Sequence, residues 1–136
     1  FKKHYDYPAT LKFFKFKNNL FFDKSINIKT VPVKHGQINS MAFIINKKLA
    51  YLPDTNKINK KDYKFFVDLK YIVIDCLRYK KHPSHFNLSD VLKIFNIFKP
   101  KKMILTNLHS DLDYNKLLHK LPKNIKPAFD GLTLNL

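Results

Sequence analysis

The chain has 136 residues, 45% of them hydrophobic, with 13 Phe, which is enough apolar mass for one packed domain and rules out a disordered polymer. Its formal net charge is +16, carried by 26 basic against 10 acidic residues. No apolar run nears the ~20 residues that cross a bilayer as a helix.

In chain order, residues 11–16 (LKFFKF) and 20–22 are short aromatic runs joined by Lys17-Asn18-Asn19, and they read as a hairpin. Residues 26–33 alternate apolar and polar side chains, as a strand with one solvated face does, and Pro32 marks an edge or the strand's end. His35-Gly36 leaves that strand. Residues 40–46 and 48–52 form a second hairpin around Asn46-Lys47. Residues 58–69 read as a short helix capped at Asn59. Residues 71–77 (YIVIDCL) form a continuous apolar run, the pattern of a central strand covered on both faces. A polar loop, 78–87, leads to a helix over 88–98, capped by Asn87 or Ser89 and stopped by Pro100. A buried strand follows at 103–106. A helix over 113–121 turns Leu117, Leu118 and Leu121 inward. Strands at 125–129 and 132–136 flank Asp130-Gly131. The fold class is α/β: a mixed sheet with enough helix to cover one face.

Composition explains much of the charge. Lysine supplies every basic residue but Arg78, Asn and Ile are abundant, and Glu is absent. The lysines are scattered, which fits base composition better than a dedicated nucleic-acid stripe. The field still draws anionic substrates. The single cysteine, Cys76, excludes an internal disulfide and sits in a buried strand pattern, so it reads as a structural thiol in a reducing, cytoplasmic setting. No secretory signal opens the chain, and Phe1 reads as an internal position of a longer polypeptide.

Polar residues cluster where apolar runs end. His35 ends the run at 26–33 and Asp54 the run at 48–52; His82 and His85 lie in the loop after 71–77, and His109 lies after 103–106. Strand ends are where open α/β sheets do chemistry, and imidazole and carboxylate are ordinary ligands of hydrolytic metal sites. Each residue also has a plainer use. A histidine on a basic surface is commonly just solvated, Asp54 in PDT suits a turn, His82 and His85 flank Pro83 in a loop, and Asp111 or Asp113 suits a helix cap. Asp75 is either a strand-end acid facing the site or a buried acid bonded to backbone.

The blocks VPVKHG, MAFIINKKLAYLPDTNKI, LKYIVIDCLRYKKHPSHFNLSDVLKIFNIFKPKKMILTNLHSDLDY and LPKNIKPAFDGLTLNL, in that order, resemble the metallo-β-lactamase fold hydrolases. The branch they resemble holds the phosphoribosyl 1,2-cyclic phosphate phosphodiesterases. The resemblance implies an αβ/βα sandwich with two divalent ions, zinc or manganese, at the seam between similar halves. It implies that residues 1–136 are the C-terminal part of one such domain, because the family's HxHxDH motif is absent. His35 then corresponds to a metal ligand, Asp54 to the bridging carboxylate, and His85 to a histidine that protonates the leaving oxygen. The last ligand normally follows the strand's Thr directly. Here Asn107 holds that place, and His109, two residues on, is expected to return to the same side. His82, Asp75, Asn107 and Asp113 are expected to support these residues. The implied reaction is metal-dependent hydrolysis of a small phosphorylated substrate, with this stretch inactive by itself. The other readings are an RNA-processing nuclease of the same fold and a basic RNA-binding module.

Overall fold

The computed structural model describes residues 19–22 and 25–136. Seven strands form one sheet in sequence order: β1 (Asn19–Phe22), β2 (Ile26–His35), β3 (Ile38–Ile45), β4 (Leu49–Leu52), β5 (Tyr71–Asp75), β6 (Lys102–Thr106) and β7 (Ile125–Pro127). β1 to β4 are an antiparallel meander; β4 to β7 run parallel. The crossovers carry a 3₁₀ segment (Lys60–Phe65), helix α1 (Leu88–Phe98) and helix α2 (Tyr114–Lys120). Right-handed crossovers that always step the same way place all three on one face. The chain is therefore a mixed α/β sheet with helices, as the pattern of runs predicts.

Register carries one apolar layer from β2 to β7. Val31 pairs with Ala42, Ile44 with Ala50, Ala50 with Ile72, Ile72 with Met103, and Met103 with Ile125. All of them are buried, together with Val91, Ile94, Phe98 and Leu117 from the helices. The alternate residues, among them Met41 and Tyr51, point to the other face and are 44% and 40% exposed.

Local chemistry explains the boundaries. Asn46 and Lys47 both have positive φ, 51° and 54°, the central pair of the tight turn that Lys48 N closes by donating to Ile45 O at 2.9 Å. Pro32 sits inside β2, but β1 pairs only with Ile26 to Lys29, so the missing N–H of Pro32 falls where β2 has no partner on that side among the described residues. Asn87 caps α1, its side chain accepting from Asp90 N at 2.9 Å, and Lys99 ends it in the left-handed conformation before Pro100. Asn87→Ala is expected to destabilise the chain by about 1 kcal/mol, read as a shifted midpoint with unchanged slope in urea unfolding.

Three predicted elements differ. The helix expected over 58–69 is only the 3₁₀ turn Lys60–Phe65, and Asn59 makes no side-chain cap. No apolar residue falls between Ile58 and Tyr63, and Lys60, Lys61 and Lys64 crowd the segment, so contacts made by Tyr63 and Phe66, rather than helical propensity, hold it. The strand expected over 132–136 does not form, and β7 stops at Pro127. In α2, Leu117 is buried but Leu118 is 41% exposed, because a seven-residue helix presents little more than one turn to the sheet. The hairpin arm expected over 11–16 lies outside the described residues; β1 pairs with β2. No described helix is long and apolar enough to cross a membrane.

Candidate metal site

Four loops leave the sheet at one end, the carboxyl end of the parallel strands. His35 is the last residue of β2, Asp54 lies just past β4, Asp75 ends β5, and Asn107 follows β6. The loop from Arg78 to Asn87 is a closed excursion. Leu77 N donates to Phe86 O at 3.0 Å and Leu88 N to Arg78 O at 3.1 Å, so its base is pinched and its tip, with His82 and His85, projects toward the other loops.

Thr55 is the hub that joins them. It is fully buried; its N–H donates to Asp75 Oδ2 at 3.2 Å, its hydroxyl to Lys34 O at 3.1 Å, and its own carbonyl accepts from Phe86 N at 2.9 Å. One residue thus fixes the ends of β2 and β5 and the base of the histidine loop. Nothing in the sequence singles out Thr55, although its place beside Asp54 at a strand end was a signal.

His35 Nε2 lies 3.0 Å from His85 Nε2, with ring centroids 4.5 Å apart. One ligand atom each from His35, Asp54 and His85 fall within 4.8 Å of one another. Behind His85 stands Asp75. Its Oδ2 accepts from His85 Nδ1 at 2.5 Å, while Oδ1 accepts from Asn107 Nδ2 at 3.1 Å. Asp75 is both things its sequence allowed, a strand-end acid facing the site and a buried group bonded to backbone. Its carboxylate has no exposed surface, and burial pushes its pKa above the usual carboxylate value, against the opposing pull of His85 and the Thr55 amide. A carboxylate on Nδ1–H fixes the tautomer of His85 and leaves Nε2 with a bare lone pair aimed at His35 and Asp54.

Two imidazoles and a carboxylate converging in this way fit a divalent ion with an open position for water. They are fewer donors than a two-ion site requires.

The remaining site residues are placed as follows. Asn107 takes a left-handed conformation, φ 59°, and turns its amide onto Asp75 and toward His85 Nδ1 at 3.4 Å. That kink is why His109 does not return to the same side. His109 is 57% exposed, bonded to Asp111 at 3.2 Å and outside the converging group, because two residues restore a side only along an extended backbone. Asp113 is also away from the site; it caps α2, accepting from Lys116 N at 2.8 Å. His82 borders the site, its ring 5.0 Å from that of His85 and its Nδ1 3.2 Å from Ser84 Oγ. Desolvation and the Arg78 charge lower its pKa. Cys76 is buried directly after Asp75, and burial, with the Asp75 charge next, pushes its thiol up to about 12, so it is inert as a nucleophile.

A family model described as a beta-lactamase superfamily domain matches residues 9–107. No curated protein matches the chain. Among solved structures, a new diphosphatase from the PhnP family is 28% identical with a TM-score of 0.83, the match covering 88% of this chain and 46% of that one. Human tRNase Z, short form, is 15% identical with a TM-score of 0.67 over 87% of this chain and 46% of that one. The Zn(2+)-bound PqqB from Methylobacterium extorquens is 11% identical with a TM-score of 0.69, over 87% and 53%. The chain thus spans about half the length of each of these structures. With a matching family model over most of its length and a sheet that superimposes on such structures, the chain belongs to the β-lactamase superfamily.

Proposed function

We propose that this chain carries one part of a metal-dependent hydrolase site for phosphoric esters, in which His35, Asp54 and His85 are the donors it offers to a divalent ion, zinc or manganese. The observation that carries the reading is the convergence of those three ligand atoms within 4.8 Å, from loops far apart in sequence. A bound ion would supply Lewis-acid polarisation of a phosphoryl oxygen. The chain's own residues do the rest. Asp75 holds the Nδ1 proton of His85 and orients the ring. In a state where the ion is held by His35 and Asp54 without it, His85 protonated at Nε2 would present that proton to a leaving oxygen. The positive field set by a net charge of +16 draws an anionic substrate. A small phosphorylated substrate is favoured by the 28% identity to a diphosphatase. Full two-ion catalysis requires donors beyond these three, so we read residues 1–136 as the C-terminal part of a single such domain.

Titration of the chain with Zn2+ and with Mn2+ tests the reading. The expected result is one ion per chain, with affinity at least about 10-fold weaker in Asp54→Ala, the scale on which outer-shell losses alone act. Turnover of an aryl phosphodiester by this chain alone is expected to stay at the uncatalysed rate, since a second ion is needed to clamp both attacking and leaving oxygens. Equal metal affinity in wild type and Asp54→Ala would sink the proposal.

A further inference from the structure

Asn56 follows the hub residue Thr55 and uses both ends of its amide. Its Oδ1 accepts from Gly36 N–H at 3.0 Å, and its Nδ2 donates to Pro83 O at 2.7 Å. Gly36 is the residue after His35, and Pro83 lies two residues before His85. The backbone of Asn56 is itself held, its N–H donating to Lys34 O at 2.8 Å. One side chain on the Asp54 loop therefore ties the tip of the His35 turn to the tip of the histidine loop.

The two tips are already in contact. Gly36 has φ +62°, and a Cβ there would meet Ser84 Cβ at 3.1 Å and Pro83 O at 3.4 Å. The Thr55 bonds fix only the bases of these loops, at Lys34 and Phe86. Besides the contact of His35 with His85 itself, the amide of Asn56 is a side-chain bridge between the tips among the described residues. Removing it hands Gly36 N and Pro83 O to water and leaves the separation of the two rings to loop motion.

We propose that Asn56 is a positioning residue that sets the distance between His35 and His85, and through it the metal affinity of the donor group, although it touches no donor itself. The affinity half of this inference rests on the metal reading above; the distance half does not.

The molecule contains its own control. Asn46 makes the same two-ended bridge in the β3–β4 turn, accepting from Asn27 N at 2.7 Å and donating to Ser25 O at 3.1 Å. That turn is at the opposite end of the sheet from His35. Asn56→Ala and Asn46→Ala thus delete similar bonds in different places.

Two measurements on the full chain decide it: the nuclear Overhauser contact between the His35 and His85 rings without metal, and Zn2+ affinity by competition with a chelator. Asn56→Ala is expected to lose the ring contact and to bind Zn2+ about 10-fold or more weakly. Asn46→Ala is expected to lower the melting temperature at least as much and to keep both. Asn56→Asp, which keeps the acceptor for Gly36 and loses the donor to Pro83, is expected to fall between, and serves if the alanine variant fails to fold. An unchanged ring contact in the Asn56 variants, or an equal loss in Asn46→Ala, overturns the proposal. Absence of Zn2+ binding in wild type overturns the metal reading instead, and the ring contact still decides the role of Asn56.

Discussion

Asp75→Asn is expected to leave the chain folded and to cut its affinity for a divalent ion by about 10- to 100-fold, the range seen when the carboxylate behind a ligating histidine is lost. The reason lies in how fully Asp75 is used. Oδ2 takes protons from Thr55 N and His85 Nδ1, and Oδ1 takes one from Asn107. An asparagine can put its single oxygen in the Oδ2 place and keep the first two. Its NH2 then faces the donor of Asn107, which must turn its amide over to accept. The hydrogen bonds survive, but the negative charge that makes His85 a strong donor does not. Calorimetric titration with Zn2+ reads the loss; unchanged affinity refutes the role given to Asp75.

The same substitution has a pH signature in metal-free buffer. Burial raises the folded-state pKa of Asp75 above the ordinary value of 3.8. A raised group contributes stability that is fully present below its unfolded pKa and is lost as pH rises through the folded one. The wild type is therefore expected to lose some stability as pH climbs from about 4 upward. Asp75→Asn lacks that dependence, so its stability relative to wild type improves with pH. Urea midpoints of the two proteins at several pH values check the sign.

Phe98→Ala is expected to be the most damaging single change to the fold, about 3–5 kcal/mol against a total of about 5–15 kcal/mol for a domain of this kind. Phe98 ends α1, is 1% exposed, stacks on Phe66 with centroids 5.3 Å apart and meets the edge of Tyr63 at 5.0 Å. Its carbonyl also receives Asp68 N at 2.8 Å. Truncation empties the seat on which the 3₁₀ segment rests. The measurement is the urea midpoint, and a loss under about 2 kcal/mol would mean that the site collapses without leaving a cavity.

What could be read ahead of the structure depended on whether a signal was local. Helix α1 was legible at both ends because periodicity, the Asn87 cap and Pro100 agree. The β3–β4 hairpin was legible because Asn46 tolerates a positive φ. The segment 58–69 misled because its aromatics pack on a residue some thirty positions away, which no window sees. At the site, the gathering of His35, Asp54 and His85 from loops at one end of the sheet was legible; the contacts that join those loops were not, since they run through Thr55 and Asn56. His109 misled for a conformational reason. Its expected return to the site assumed an extended chain, and the left-handed turn at Asn107 removed that assumption.

His35 and His85 stand 50 residues apart in sequence, one ending β2 and the other in the loop after β5, with β3 and β4 between those strands, yet their nitrogens nearly touch. An ion gripped by both can exist only when every intervening strand is correctly paired. A slip of one residue between β2 and β3 would send His35 to the opposite face. Because binding favours only the state that binds, an ion at 100 times its dissociation constant adds about 2.7 kcal/mol to that one arrangement and nothing to its misaligned rivals. The metal would then act during folding as a proofreader of strand alignment, rewarding the native pairing before any substrate arrives.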